Sequence, residues 1–175
     1  LMKKYLKKIS IFMVLLVSFM GIISCGKKTS NDDVDFALSD FTNKIGSDLE
    51  GLKEGTEDDL KNIYDISKDD VEDFKLYISP DGTLDDDILI IKAKSKDDLE
   101  ELKNKVETTK DKAEKELKDE DKEAKEKIKN SKVYTKGRYL VYSISDDGKN
   151  IKNSFEDMKD EFVRLNLQGR KICIV

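Results

Sequence analysis

Hydrophobic positions along this chain fall into stretches of different period, and each period predicts an element. Ile9 to Ile23 is apolar apart from Ser10, Ser18 and Gly21, and the basic run Lys3-Lys4-Tyr5-Leu6-Lys7-Lys8 precedes it. That order is the pattern of a secretory signal. A spanning helix needs ~20 apolar residues to cross ~30 Å of hydrocarbon, and this run is a little short of that. Lys27 to Asn31 is polar without periodicity and reads as a short tether. Val34, Leu38, Phe41 and Ile45 then recur at helical spacing, with Asn31 and Asp32 as caps and Gly46 as terminator. After a loop rich in Gly, Ser and acid, Thr56-Glu57-Asp58-Asp59 has the Thr-x-x-acid form of a capping box and opens a helix through about Tyr64. Ser67-Lys68-Asp69-Asp70 repeats that form before another helical turn.

From Phe74 the period falls to two. Phe74, Leu76 and Ile78 alternate with Lys75, Tyr77 and Ser79, Pro80-Asp81-Gly82 turns the chain, and Ile88-Leu89-Ile90-Ile91 is apolar on both faces, as in an interior strand. The two strands should pair as a hairpin. Ser95-Lys96-Asp97-Asp98 caps a long helix whose apolar residues Leu99, Leu102, Val106, Ala113, Leu117, Ala124 and Ile128 lie within roughly 80° of one another at ~100° per residue. Nothing apolar lies between Lys118 and Glu123, which marks a break. Val133-Tyr134-Thr135, the turn Lys136-Gly137 and Tyr139 to Ile144 form a second hairpin. Ile151, Phe155, Met158 and Phe162 give the last helix one apolar face. The layout is ββα twice behind a helical N-terminus. It predicts an α+β fold with a four-stranded antiparallel sheet and helices packed on one face.

The expected division is therefore a signal peptide over 1–24, a tether over 25–31, an α+β domain over 32–163 and an atypical tail over 164–175. The tail holds two of the three arginines and the only glutamine. It is either an added strand or a frame-shifted end.

Composition narrows the picture. Charged residues make up 41 % of the chain against 37 % hydrophobic, so the core must be modest. The formal net charge is −5, and Lys3, Lys4, Lys7 and Lys8 precede the expected cleavage point, so the mature part stands at −9, the −5 less those four lysines. An acidic chain in which lysine and acid alternate repels phosphates, which argues against nucleic acid as partner.

Ile22-Ile23-Ser24-Cys25 closes the apolar run and looks like a bacterial lipobox. The Cys25 sulfur would accept a diacylglyceryl group, Ser24 is small enough for a signal-peptidase pocket, and Ile22 and Ile23 would dock in an apolar site. Two acyl chains give durable anchoring where one gives only marginal binding. The expected location is the outer face of a cell membrane. With Cys25 lipidated, Cys173 has no intramolecular partner and no disulfide framework forms.

Four passages carry a resemblance: Leu60-Lys61-Asn62-Ile63-Tyr64-Asp65-Ile66 leading into Asp70-Val71-Glu72-Asp73, Ile88-Leu89-Ile90-Ile91-Lys92-Ala93-Lys94, Val133 to Val141, and Ile144-Ser145-Asp146-Asp147. Taken in order over about Leu60 to Glu161, they resemble small lipoproteins of low-GC Gram-positive, clostridial-type bacteria that carry a domain of unknown function. The resemblance implies a domain behind a lipobox, which agrees with Cys25. It implies no activity, cofactor or site residue.

Chemistry is constrained chiefly by one absence. The chain has no histidine, which removes Ser-His-Asp triads, Cys-His pairs and His-ligated metals. Asp81, Asp85, Asp86 and Asp87 could gather calcium but lack the spacing of a calcium loop, and read as a solvated acidic turn. The expectation is a non-enzymatic interaction module with no cofactor and no metal, bound to the membrane through lipid and to a protein or cell-wall partner. Tyr77, Tyr139 and Tyr142, on a sheet face bare of helices, are its candidate contacts. An envelope-associated hydrolase or metal-dependent enzyme is the alternative.

Overall fold

The computed structural model describes residues 35–83, 86–118, 121–145 and 148–158. Its elements are α1 (Leu38–Lys44), a 3-10 turn (Gly46–Leu49), β1 (Lys53–Glu54), α2 (Glu57–Tyr64), a second 3-10 turn (Lys68–Asp70), β2 (Val71–Ile78), β3 (Ile88–Ala93), α3 (Asp98–Glu116), α4 (Lys122–Asn130), β4 (Lys132–Lys136) and β5 (Tyr139–Ser143). A last helix, α5, covers 148–158.

Both capping boxes form as expected. Thr56 and Asp59 exchange side-chain and backbone hydrogen bonds at the start of α2, and Ser67 and Asp70 do the same at the second 3-10 turn. Each satisfies two amide groups that would otherwise lack partners. The break in the long helix also appears, between Glu116 and Lys122.

The strands form one antiparallel sheet in the order β1-β2-β3-β5-β4. Both expected hairpins are present, but the sheet has five strands, not four. Lys53 and Glu54 pair with Ile78 and Tyr77 as a short edge strand. Two exposed charged residues carry no alternation to read. Gly55 follows them because a Cβ there would lie 2.7 Å from Leu76 Cγ, a side chain wholly inside the core.

The expectation of helices on one face is corrected: both faces are covered. Leu76, Leu89, Ile91, Leu140 and Tyr142 project to one side and pack with Leu60 of α2, Leu102 and Val106 of α3, and Ile128 of α4. Ile88, Ile90, Tyr139 and Val141 project to the other and pack with Leu38 and Phe41 of α1 and with Ile151, Phe155 and Met158 of α5. The period-two pattern of β3 and β5 demands this. With Ile88 to Ile91 and Tyr139 to Tyr142 all apolar, a one-sided cover would leave half of them in water, and each buried aliphatic or aromatic side chain gains ~1.5–3 kcal/mol. The caps proposed at Asn31 and Asp32, the apolar positions Val34 and Phe162, the signal segment and the tail lie outside the described residues.

Candidate functional site

The two ends of β3 carry different chemistry. At its C-terminal end Lys92 reaches Asp35 Oδ1 and Glu72 Oε1, both at 2.7 Å. Arg138 pairs with Glu72 and lies 3.8 Å from Asp35. Tyr139, directly opposite Lys92 in the sheet, completes the group. Its Oη accepts the Phe36 N–H at 2.8 Å, and its proton is directed at Asp35 Oδ1 (2.9 Å) or the Phe36 carbonyl (2.8 Å). The Phe36 ring stacks on Tyr139 at 4.0 Å. Residues 35–36 are thereby strapped to the middle of the sheet. The Lys92 hydrogen bond holds the Asp35 carboxyl below its usual range, and bonds from Lys92 and Arg138 do the same for Glu72.

At the N-terminal end of β3 the polar groups are buried. Asp87 has no exposed surface. Its Oδ1 accepts the Ser79 N–H at 3.3 Å, which ties the two ends of the β2–β3 connection together, and its backbone carbonyl accepts the Ile144 N–H at 2.8 Å, which pairs it with the end of β5. The expectation of a solvated acidic turn fails for Asp87 because backbone pairing draws it under the sheet's end. Asp81 keeps it, exposed and bonded to Thr83, and Asp85 lies outside the described residues. Nearby, Tyr64 and Tyr142 meet edge to face at 6.2 Å. The Tyr142 and Ser131 hydroxyls are 3.2 Å apart, and Ser131 donates to the Ile128 carbonyl at 2.5 Å. Among the described residues Tyr64 Oη has no partner at hydrogen-bonding distance, yet Asp87 stands close enough to act on it through both its charge and its carboxylate oxygens. Burial first, and then that charge, pushes the Tyr64 phenol well above its usual value. Burial raises Tyr142 to about 12 against the Ser131 bond, which lowers it.

Two clefts open beside this buried group. One, of about 510 Å³, lies between α4, the start of β4, the end of β5 and the start of α5; Asn130, Ser131, Tyr134, Ser143 and Ser145 line it. The other, of about 530 Å³, runs past Gly51, Pro80, Asp86 and Ile144, and Ser145 lines both. Lys127 on the first cleft, its side chain 16 % exposed, pairs at 3.5 Å with Asp86 on the second. Among the described residues no three His, Cys, Asp or Glu side chains come together as a metal site.

The tyrosines named from sequence are placed otherwise than expected. Tyr139 and Tyr142 are each 1 % exposed and point to opposite faces, so neither offers a surface contact. Tyr77 is half-buried against the second face. They form no common surface, because no face is bare. Ile22, Ile23, Ser24 and Cys25 lie outside the described residues. Sequence reasoning missed Asp87, Tyr64 and Ser131 as a group, since a run of three aspartates reads as a turn. It also missed the strap, although Lys92 is the one charge within Ile88–Ala93, and an interior-strand lysine needs partners.

A family model, Domain of unknown function (DUF4358), matches residues 46–145. The chain belongs to this family. No curated protein and no solved structure matches it. The DUF4358 span holds the sheet, α2 to α4 and most of both clefts, whereas Asp35, Phe36, α1 and α5 lie outside it.

Proposed function

We propose that this DUF4358 protein is a lipoprotein of the low-GC Gram-positive type, tethered to the outer face of the cell membrane by diacylglyceryl on Cys25, and that its domain is a non-enzymatic interaction module. The observation that carries the reading is the order of basic run, apolar run, Ile22-Ile23-Ser24 and Cys25. Lys27 and Lys28 follow the cysteine, where each adds about 1 kcal/mol of attraction to anionic headgroups. The absence of histidine from the whole chain favours binding over the commoner hydrolytic mechanisms. Partner contacts fall to the clefted end of the sheet, because Tyr139 and Tyr142 are packed inside its faces.

Metabolic labelling with a clickable palmitate, followed by membrane fractionation, tests the anchor. The wild-type chain should label and sediment with membranes, and Cys25→Ala should lose the label and leave the membrane or stay unprocessed. Unchanged labelling of Cys25→Ala would refute the proposal.

A further inference from the structure

We propose that the outer edge of β4 is a docking site for an acidic peptide segment, which joins the five-stranded sheet as an added strand. This rests on the reading of the domain as an interaction module and names the class of its partner. Among the described residues β4 pairs with β5 alone and closes the sheet on one side, while the opposite edge, β1, has only two residues. The direction of the β4 backbone groups follows from β5. Ala93 N–H donates to the Arg138 carbonyl and Ile144 N–H to the Asp87 carbonyl, so alternate residues from Arg138 to Ile144 turn their backbone groups to β3. Tyr139, Val141 and Ser143 therefore turn theirs to β4, where they meet Lys136, Tyr134 and Lys132. The N–H and C=O groups of Val133 and Thr135, which lie between these, face away from the sheet. Thr135 is exposed at mid-strand, whereas β5 beside it is buried throughout.

Such an edge alternates donors and acceptors, and a second backbone answers both in register. A polyanion would satisfy the N–H groups and be repelled by the carbonyls. Charge then selects among peptides. Lys110 of α3 donates to the Lys129 and Ser131 carbonyls, at 3.1 and 2.5 Å, which fixes an ammonium at the start of β4 near the exposed Lys129 and Lys132. Among the described residues none of these three lysines pairs with a carboxylate, although acids outnumber bases in the chain as a whole. A second copy of the chain is a poor occupant. Two β4 strands paired antiparallel would set Lys132 opposite Lys136, and like charges directly opposite destabilise a ladder. The lysines that bar self-pairing favour a strand that carries carboxylates instead.

Fluorescence anisotropy with the full chain, purified in detergent, measures binding of a labelled octapeptide of alternating glutamate and valine, of its lysine–valine counterpart, and of polyphosphate as an unlabelled competitor. The acidic peptide should bind saturably, and should slow hydrogen exchange at the Thr135 amide more than at that of Tyr134, which already faces β5. Joint reversal of the exposed pair, Lys129→Glu with Lys132→Glu, should weaken binding at least about tenfold while the melting temperature holds. Thr135→Pro, which removes an outward N–H and spares the β5 ladder, should weaken it comparably. No binding of the acidic peptide at millimolar concentration, equal or tighter binding of the lysine peptide or of polyphosphate, unaltered exchange at Thr135, or full affinity in the double reversal would overturn the assignment. Palmitate labelling of Cys25 does not depend on these residues, so absent peptide binding with labelling intact sinks this inference and leaves the anchor standing.

Discussion

The two ends of β3, separated by a few residues of wholly apolar strand, handle charge in opposite ways. At the Lys92 end, two acids and two bases share hydrogen bonds in contact with water; the side chains of Asp35 and Glu72 are 61 % and 42 % exposed. At the Asp87 end a carboxylate is sealed beside the Tyr64 and Tyr142 phenols and bonded to the Ser79 N–H. Water makes the first arrangement forgiving, since exposed pairs each contribute ~0–1 kcal/mol and neighbours substitute for one another. Its absence makes the second unforgiving, because a buried polar group that loses its partner keeps the full desolvation penalty. Stability should therefore be concentrated at the end where fewer charges are found.

Asp87→Ala should have the largest effect, destabilising by about 2–4 kcal/mol in urea denaturation, because the Ser79 N–H loses its acceptor and the core gains a void. A stabilised Asp87→Ala protein would show that the desolvation of the carboxylate outweighs its bonds, and would reverse the comparison. Asp35→Ala, measured in the same way, should cost under about 1 kcal/mol.

A finer contrast lies inside the buried end. Tyr142→Phe removes a hydroxyl bonded to Ser131 and should cost about 1 kcal/mol. Tyr64→Phe removes a hydroxyl with no partner at bonding distance among the described residues, and should fall within about 0.5 kcal/mol of wild type or stabilise. Equal losses in the two variants would mean that Tyr64 and Asp87 share a formed bond in solution.

Period and punctuation made most of the family span legible. The alternation of Phe74, Leu76 and Ile78, the two-faced run Ile88 to Ile91, the capping boxes at Thr56 and Ser67 and the apolar gap after Lys118 each map onto an observed element. What escaped was long-range. Lys53 and Glu54 become a strand only through pairing with β2, and α1 and α5 meet on the second face although more than a hundred residues separate them. The mistake about a bare face came from reading Ile88 to Ile91 as an interior strand without asking what must cover its far side. Tyr139 and Tyr142 could have corrected it, being three apart in one strand and so on opposite faces. Asp87 was hidden for a different reason: nothing local distinguishes the last aspartate of a turn from the first residue of a ladder.

Acid gives the mildest separation of the two ends. Asp35 is held below its usual range chiefly by the Lys92 hydrogen bond, and Glu72 by the Lys92 and Arg138 bonds. A carboxyl whose folded pKa is depressed stabilises the fold above its unfolded pKa and loses that contribution as the pH falls through the folded value. The strap should therefore weaken progressively between about pH 5 and pH 2, not in alkali. Lys92 adds no slope in that window; burial pulls its pKa down, the Asp35 and Glu72 bonds more than offset this, and it stays charged throughout. Because both acids are well exposed, the loss should be small and should shrink further in high salt. Urea midpoints followed from neutral to acid pH should fall less steeply for Asp35→Asn than for wild type, with the gap closing at molar salt. Identical slopes would mean that Tyr139 and Phe36 hold the strap without the ion pairs, leaving the stack at 4.0 Å and the Tyr139 hydrogen bonds as its whole attachment.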